Sequence, residues 1–118
     1  METLDASSFK QKIFDFDASQ EFQFNGTRPA IIDFYADWCA PCQAMAPIIE
    51  EVAEEYASHV DVYKINTEVT PELAELFGVR GLPSIAFINS SEEPAISIGF
   101  MNKESFQKAI SQLFGINL

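Results

Sequence analysis

Ala30-Ile31-Ile32-Asp33-Phe34-Tyr35 is apolar on both alternating faces apart from one aspartate. A strand with one wet face alternates apolar and polar residues, so this pattern belongs to a strand covered on both sides. It is expected at the middle of a sheet held between helical layers. The run leads into Trp38-Cys39-Ala40-Pro41-Cys42, which contains both cysteines of the chain, and then into a long helical pattern. Ile48, Ile49, Val52, Ala53, Tyr56 and Ala57 form the apolar stripe of that helix, while Glu50, Glu51, Glu54 and Glu55 face water. Like charges spaced i,i+4 weaken the helix slightly, so packing must hold it. Pro47 lies inside the pattern and is expected to kink the helix rather than end it, because the periodicity resumes at once.

Before the strand, Asp5 or Ser7 is expected to cap a short helix carrying Phe9, Ile13 and Phe16. Residues 17 to 29 are irregular. Glu21-Phe22-Gln23-Phe24, ended by Asn25-Gly26, reads as a short extra strand or extended arm. After the long helix, Val60 to Asn66 reads as a strand, and Thr70-Pro71-Glu72 starts a short helix as cap, first-turn proline and first-turn acid, closed by Gly78. Val79-Arg80-Gly81-Leu82-Pro83 connects to a strand over Ser84 to Ile88, and Asn89 to Pro94 links that strand to Ala95 through Gly99 as a hairpin. Asn102 then caps a last helix with Phe106, Ile110, Leu113 and Phe114, and Gly115 lies beyond it. The expected architecture is α/β: a central mixed sheet flanked by helices on both faces, finished by a hairpin and a helix. The remaining phenylalanines are read as core, and His59 as part of a solvated turn.

A chain of 118 residues fits one domain large enough to bury a core without staples. No apolar run approaches the roughly 20 residues of a membrane span, so no membrane insertion is expected. Seven basic against eighteen acidic residues give a formal charge of -11, which repels phosphate backbones and argues against nucleic-acid binding. Met1-Glu2-Thr3-Leu4-Asp5 lacks the basic start and apolar segment of a signal peptide, which points to the cytoplasm. A leader removed from the chain would instead place the protein in the periplasm or another exported compartment.

Cys39 and Cys42 admit several uses. A closed structural zinc site takes four ligands, and His59 is the one nitrogen donor to add, so a protein-only metal site is disfavoured and no metal or other cofactor is expected. As a staple the pair closes a ring worth only about 2 kcal/mol of chain entropy. Redox use suits the spacing better. If Pro41 sits in the first turn of the helix, Cys39 falls at its N-terminus, where free N–H groups and the macrodipole stabilise a thiolate. Cys42, one turn in, would face Cys39 from the less exposed side and break a mixed disulfide by intramolecular attack. Asp33, placed in the most apolar run, is expected to be desolvated with a raised pKa, which makes it a candidate proton acceptor. The alternative is a strand-end aspartate facing water. Lys64 shares a strand face with Val60 and Val62, an odd place for an ammonium without an acid partner.

Asp33-Phe34-Tyr35-Ala36-Asp37-Trp38-Cys39-Ala40-Pro41-Cys42, with Pro47, Lys64, Arg80-Gly81-Leu82-Pro83 and Gly99 at matching separations, resembles the thioredoxin family. The likeness runs from about Ala30 to the C-terminus and is looser before it. It implies a thioredoxin fold and a protein-disulfide reductase in which a redox-active Cys39-Cys42 disulfide serves without a cofactor. It also implies that Asp33 assists proton removal from Cys42 while Lys64 tunes it. A cis peptide before Pro83 is implied as well, with Leu82 and Pro83 forming a ledge for an extended client segment. Trp38, Pro41 and Gly99 would complete that surface, although a core position for Trp38 competes with this reading. The implied partners are disulfide-containing client proteins and an external reductant, such as a thioredoxin reductase or a membrane thiol donor, acting on a monomer.

The chain also departs from the family pattern. Ala40 stands where glycine is common, Gln43 where lysine is common, and Tyr35 where tryptophan is common. Alanine stiffens the turn, and the missing cation removes one source of thiolate stabilisation. Pro41, where oxidases and isomerases of the superfamily usually carry histidine, implies a reducing couple closer to the about -270 mV of thioredoxin. An exported oxidase or isomerase and a redox-independent binding subunit are the alternatives. Residues 17 to 29 resemble an insertion.

Overall fold

The computed structural model describes residues 1–90 and 92–118. Its elements are β1 (Glu2–Thr3), α1 (Ala6–Lys12), β2 (Ala30–Tyr35), α2 (Ala40–Glu55), β3 (Asp61–Asn66), α3 (Pro71–Leu76), β4 (Ser84–Ile88), β5 (Ala95–Ile98) and α4 (Lys103–Phe114). The sheet order is β1-β3-β2-β4-β5, so β2 is central as its two-sided apolar pattern requires. β1 and β2 run parallel to β3, whereas β4 is antiparallel to β2 and to β5, which makes the sheet mixed.

Alternation along β2 divides its side chains between two cores. Ala30, Ile32 and Phe34 face α1 and α3, where they pack with Phe9, Ile13, Ile65 and Leu73. Ile31 faces α2 and α4, where it packs with Met45, Ile49, Val52, Ile85, Phe106 and Ile110. Asp33 and Tyr35 share that second face by the same alternation, so an ionisable side chain is carried into the layer between the sheet and α2.

Several local expectations meet corrections. Asp5 caps α1, accepting from the Ser8 N–H at 2.8 Å while its own N–H donates to Ser8 Oγ at 2.9 Å. The helix stops at Lys12, so Phe16 lies beyond it, yet its ring still packs on Phe9 with centroids 6.0 Å apart. Glu21 to Phe24 forms no strand. The Asn25 N–H donates to the Ile13 carbonyl at 2.8 Å and its side chain to the Lys10 carbonyl at 2.9 Å, which ties this arm to the end of α1 instead of to the sheet. Phe22 packs on Phe14 at 5.2 Å, covering the first core. The two-residue β1 was not expected, being too short to show a period. Thr70 precedes α3 without capping it, because its hydroxyl donates to the Asn66 carbonyl at 3.3 Å.

α2 continues through Pro47, and Ala57 lies outside it and exposed. Glu51 and Glu55 are not simply solvated: Lys103 of α4 bridges both, at 2.7 and 2.5 Å. Contrary to the expectation of core positions, Leu113 on the apolar stripe of α4 is 42% exposed and Phe100 is 51% exposed. Ser91, within the expected hairpin connection, lies outside the described residues. His59 sits in an exposed turn as expected.

Asn102 accepts the Ser105 N–H at 2.8 Å, and Gly115 ends α4 in the left-handed region at φ 68°. Substituting Asn102 by alanine leaves that N–H without its partner. The expected cost is about 1 kcal/mol in guanidinium unfolding. A value near zero would mean that solvent replaces the cap.

Candidate active site

Cys39 is the N-cap of α2 and Pro41 lies in its first turn, so the Cys39 sulfur sits at the helix start, where backbone N–H groups lack intrahelical partners. The Cys42 N–H donates to Cys39 Sγ at 3.3 Å. The two cysteines are joined as a disulfide with Cα atoms 5.2 Å apart. Each is 4% exposed, so Cys42 is not the less exposed of the pair. What distinguishes them is surroundings. Both pack with Ala36 against Tyr35 and Leu82, but Cys42 also lines a cleft of about 320 Å³ with Asp33 and Lys64.

Asp33 is 4% exposed, and its Oδ1 is fully buried without a hydrogen-bond partner among the described residues. Burial raises its pKa to about 7, against a smaller opposing pull from the Lys64 charge. The desolvated aspartate is therefore what the residues present, and the water-facing alternative falls away. Asp33 and Lys64 are direct register partners on β2 and β3, which meets the expectation that an acid lies beside this lysine. They make no ion pair. The Lys64 Nζ instead stands over the Tyr35 ring, 5.7 Å from its centroid.

Leu82 and Pro83 are joined by a cis peptide bond, and the Pro83 carbonyl accepts the Gly99 N–H at 2.8 Å. That bond places Leu82, Pro83 and Gly99 together, with Leu82 packed on the cysteine cluster. Gly99 has φ 97°, where a side chain is strained, so glycine suits the position. Trp38 is 69% exposed, which rules out the core position. Its indole N–H donates to Glu68 Oε1 at 2.8 Å. Pro41 is also exposed.

Glu68, Gln43 and the Tyr35 ring also belong to the site, although sequence reasoning does not mark them as site residues. Gln43 Nε2 donates to the Asp37 carbonyl at 2.5 Å, fastening the loop before Cys39 to the first turns of α2. Its identity as a departure from the family pattern was the available signal. Glu68 had none, since it meets Trp38 only through the turn after β3. Among the described residues there is no group of three or more His, Cys, Asp or Glu side chains placed to hold a metal ion, and no helix long and apolar enough to cross a membrane.

The thioredoxin family profile matches residues 3–112. A thioredoxin of Borreliella burgdorferi is 39% identical over 113 residues, covering 96% of this chain and 97% of its own length. A thioredoxin of Pyropia yezoensis is 32% identical over 106 residues, covering 90% of each. Among solved structures, chloroplastic thioredoxin z superposes with a TM-score of 0.79 at 26% identity, over 98% of this chain and 96% of that one. Thioredoxins need no cofactor beyond the active-site disulfide, and as a family they act on disulfide-containing proteins and are served by a reductase. With its Cys-x-x-Cys pair closed as a disulfide at the start of α2, the chain belongs to the thioredoxin family and is a thiol-disulfide oxidoreductase that reduces protein disulfides.

Proposed function

We propose that Cys39 is the attacking thiolate, Cys42 the resolving thiol, and Asp33 the group that takes the Cys42 proton, within a single thioredoxin domain spanning the whole chain. The observation that carries this reading is the cleft shared by Cys42, Asp33 and Lys64 beside a helix N-terminus occupied by Cys39. Cys39 thiolate attacks one sulfur of a client disulfide, forming a mixed disulfide and releasing the other client sulfur as a thiolate. Cys42 then loses its proton to Asp33 and attacks the Cys39 sulfur. The Cys39-Cys42 bond closes and the second client sulfur leaves. Two electrons pass from the dithiol to the client, and an external reductant restores the dithiol. The disulfide described above is the product of this half-cycle.

Lys64 contributes a positive charge that favours the Asp33 carboxylate, opposing the burial that disfavours it. Trp38, Pro41, Leu82, Pro83 and Gly99 form the face that receives the client. The support is the exposure of Trp38 and Pro41 and the packing of Leu82 against the cysteines. An extended client segment would lie along Leu82 and Pro83 by main-chain pairing. Residues 17–29 act as a structural arm over the first core, supported by the packing of Phe22 and Phe24 there. Client identity and compartment are independent of this chemistry.

Replacing Cys42 by serine removes the resolving thiol, so the mixed disulfide through Cys39 should accumulate. Incubated reduced with an oxidised client protein, the variant is expected to yield a covalent adduct that dithiothreitol dissolves. The Cys39→Ser variant should yield none. An adduct through Cys42 in the latter variant, or purely non-covalent complexes in the former, would reverse or remove the assignment.

A further inference from the structure

Asp33 and Lys64 lie directly opposite one another on adjacent strands and on the same face, the arrangement in which a lysine and a buried carboxylate ordinarily pair. Here they do not. Asp33 Oδ1 has no hydrogen-bond partner and Lys64 has no ion pair among the described residues. The Lys64 ammonium stands instead over the ring of Tyr35, two residues beyond Asp33 on the same strand face and diagonal to Lys64 across the β2–β3 pair. A cation held over an aromatic face is stabilised by the ring quadrupole and keeps much of its hydration, so the ring competes with a buried acid for the ammonium.

The ring is well fixed for this purpose. The Tyr35 carbonyl accepts both the Thr67 N–H at 2.9 Å and the Thr67 hydroxyl at 3.1 Å, which pins the end of β2 to the turn after β3. Its side chain packs against the Ala36, Cys39 and Cys42 cluster. We propose that Tyr35 is a positioning residue whose ring holds the Lys64 ammonium off Asp33, leaving that carboxylate free to exchange a proton with Cys42. The proposal rests on the reading of Asp33 as the proton acceptor and adds to it the device that keeps the acceptor available. A direct Lys64–Asp33 pair would hold the carboxylate ionised and below the range in which it can take a thiol proton.

The other groups around Asp33 do not supply the same control. Cys42 and Glu50 of α2 and Asp37 of the preceding loop line the cleft, as do the uncharged Ala46 and Ile49 and Met1, which carries the α-ammonium. β4 presents Ile85 as the register partner of Asp33. Lys64 is the side-chain cation of that lining, and its charge is the one that works against burial at Asp33.

The test follows the Asp33 carboxyl carbon by ¹³C NMR across pH in the oxidised protein, where no thiol titrates. Tyr35→Leu should lower the Asp33 midpoint by about one unit, because the released ammonium turns toward the carboxylate. Tyr35→Met serves in its place if that variant does not fold. Tyr35→Phe keeps the ring and should keep the midpoint. In a Lys64→Met background, Tyr35→Leu should have no further effect. An unchanged midpoint in Tyr35→Leu, or a shift that persists without Lys64, would overturn the proposal, the second because the ring would then act through burial alone. The reading of Asp33 as proton acceptor fails separately: Asp33→Asn would leave the pH profile of client reduction unaltered, whatever the NMR midpoints do.

Discussion

Asp33→Asn is expected to stabilise the oxidised protein above about pH 8 by roughly 4 kcal/mol. Burial raises the folded-state pKa of Asp33 from 3.8 to about 7. The sign follows from linkage. A carboxyl whose folded pKa lies above its unfolded value binds more protons when folded, so stability falls as pH rises between the two values. The contribution of the neutral acid is complete below the unfolded pKa of 3.8 and is lost by the time pH passes about 7. About three units at 1.36 kcal/mol each give the magnitude, equivalent to a rise on the order of 15–20 °C in Tm for a chain of this size. The asparagine variant lacks this pH dependence, so its advantage should disappear near pH 4. Guanidinium unfolding at the two extremes measures it, and parallel stability curves for the two proteins would remove Asp33 as a buried ionisable group. The same substitution should slow client reduction near neutral pH by at least about tenfold, since a positioned proton acceptor contributes about 10²–10⁴ to rate. On the proposed mechanism, the folded state carries this unfavourable charge because the chemistry uses it.

Much of this site could be read locally. The two-sided apolar run marks β2 as central, and one aspartate in that run is visible as a buried acid because nothing else in the strand is polar. The cysteine spacing, the first-turn proline and the following apolar stripe place Cys39 at a helix start without any long-range information. The less legible features depend on register. Lys64 opposite Asp33 requires knowing that β3 lies beside β2 and how far it has slid, and one residue of slip would turn Lys64 to the other face. Its preference for the Tyr35 ring depends further on side-chain direction. The Trp38–Glu68 hydrogen bond joins positions separated by a whole α2–β3 unit. The alternating Phe22 and Phe24 suggested a strand, but the nearby end of α1 satisfied Asn25 and tertiary packing absorbed both rings. The cis bond at Pro83 came from family likeness, because a proline after leucine is ordinarily trans.

Phe34→Ala is expected to produce the opposite result from its neighbour. Phe34 follows Asp33 by one residue and therefore points to the other face of β2, where it is fully buried against the α1 and α3 layer. Its ring lies 5.3 Å from that of Phe77, which in turn meets Phe9 edge-on at 5.8 Å, so the side chain supports a chain of aromatic contacts as well as filling volume. Truncation removes the transfer free energy of the ring and leaves a cavity between a central strand and two helices that relax only partly, with an expected cost of about 3–5 kcal/mol. Because the cost arises from packing, it should be the same near pH 4 and near pH 8, unlike the Asp33 effect. The double variant with Asp33→Asn provides the sharper measurement. The two side chains point to opposite faces of β2, one into the core with α1 and α3 and the other into the cleft beside α2, so near pH 8 the gain and the loss should nearly cancel to within about 0.5 kcal/mol of additivity. A larger departure would mean that the strand moves when its lower face is emptied and carries Asp33 out of its desolvated position. The pH dependence of the Phe34→Ala single variant would then flatten as well, and the proton acceptor would depend on the core beneath it as much as on the cleft above.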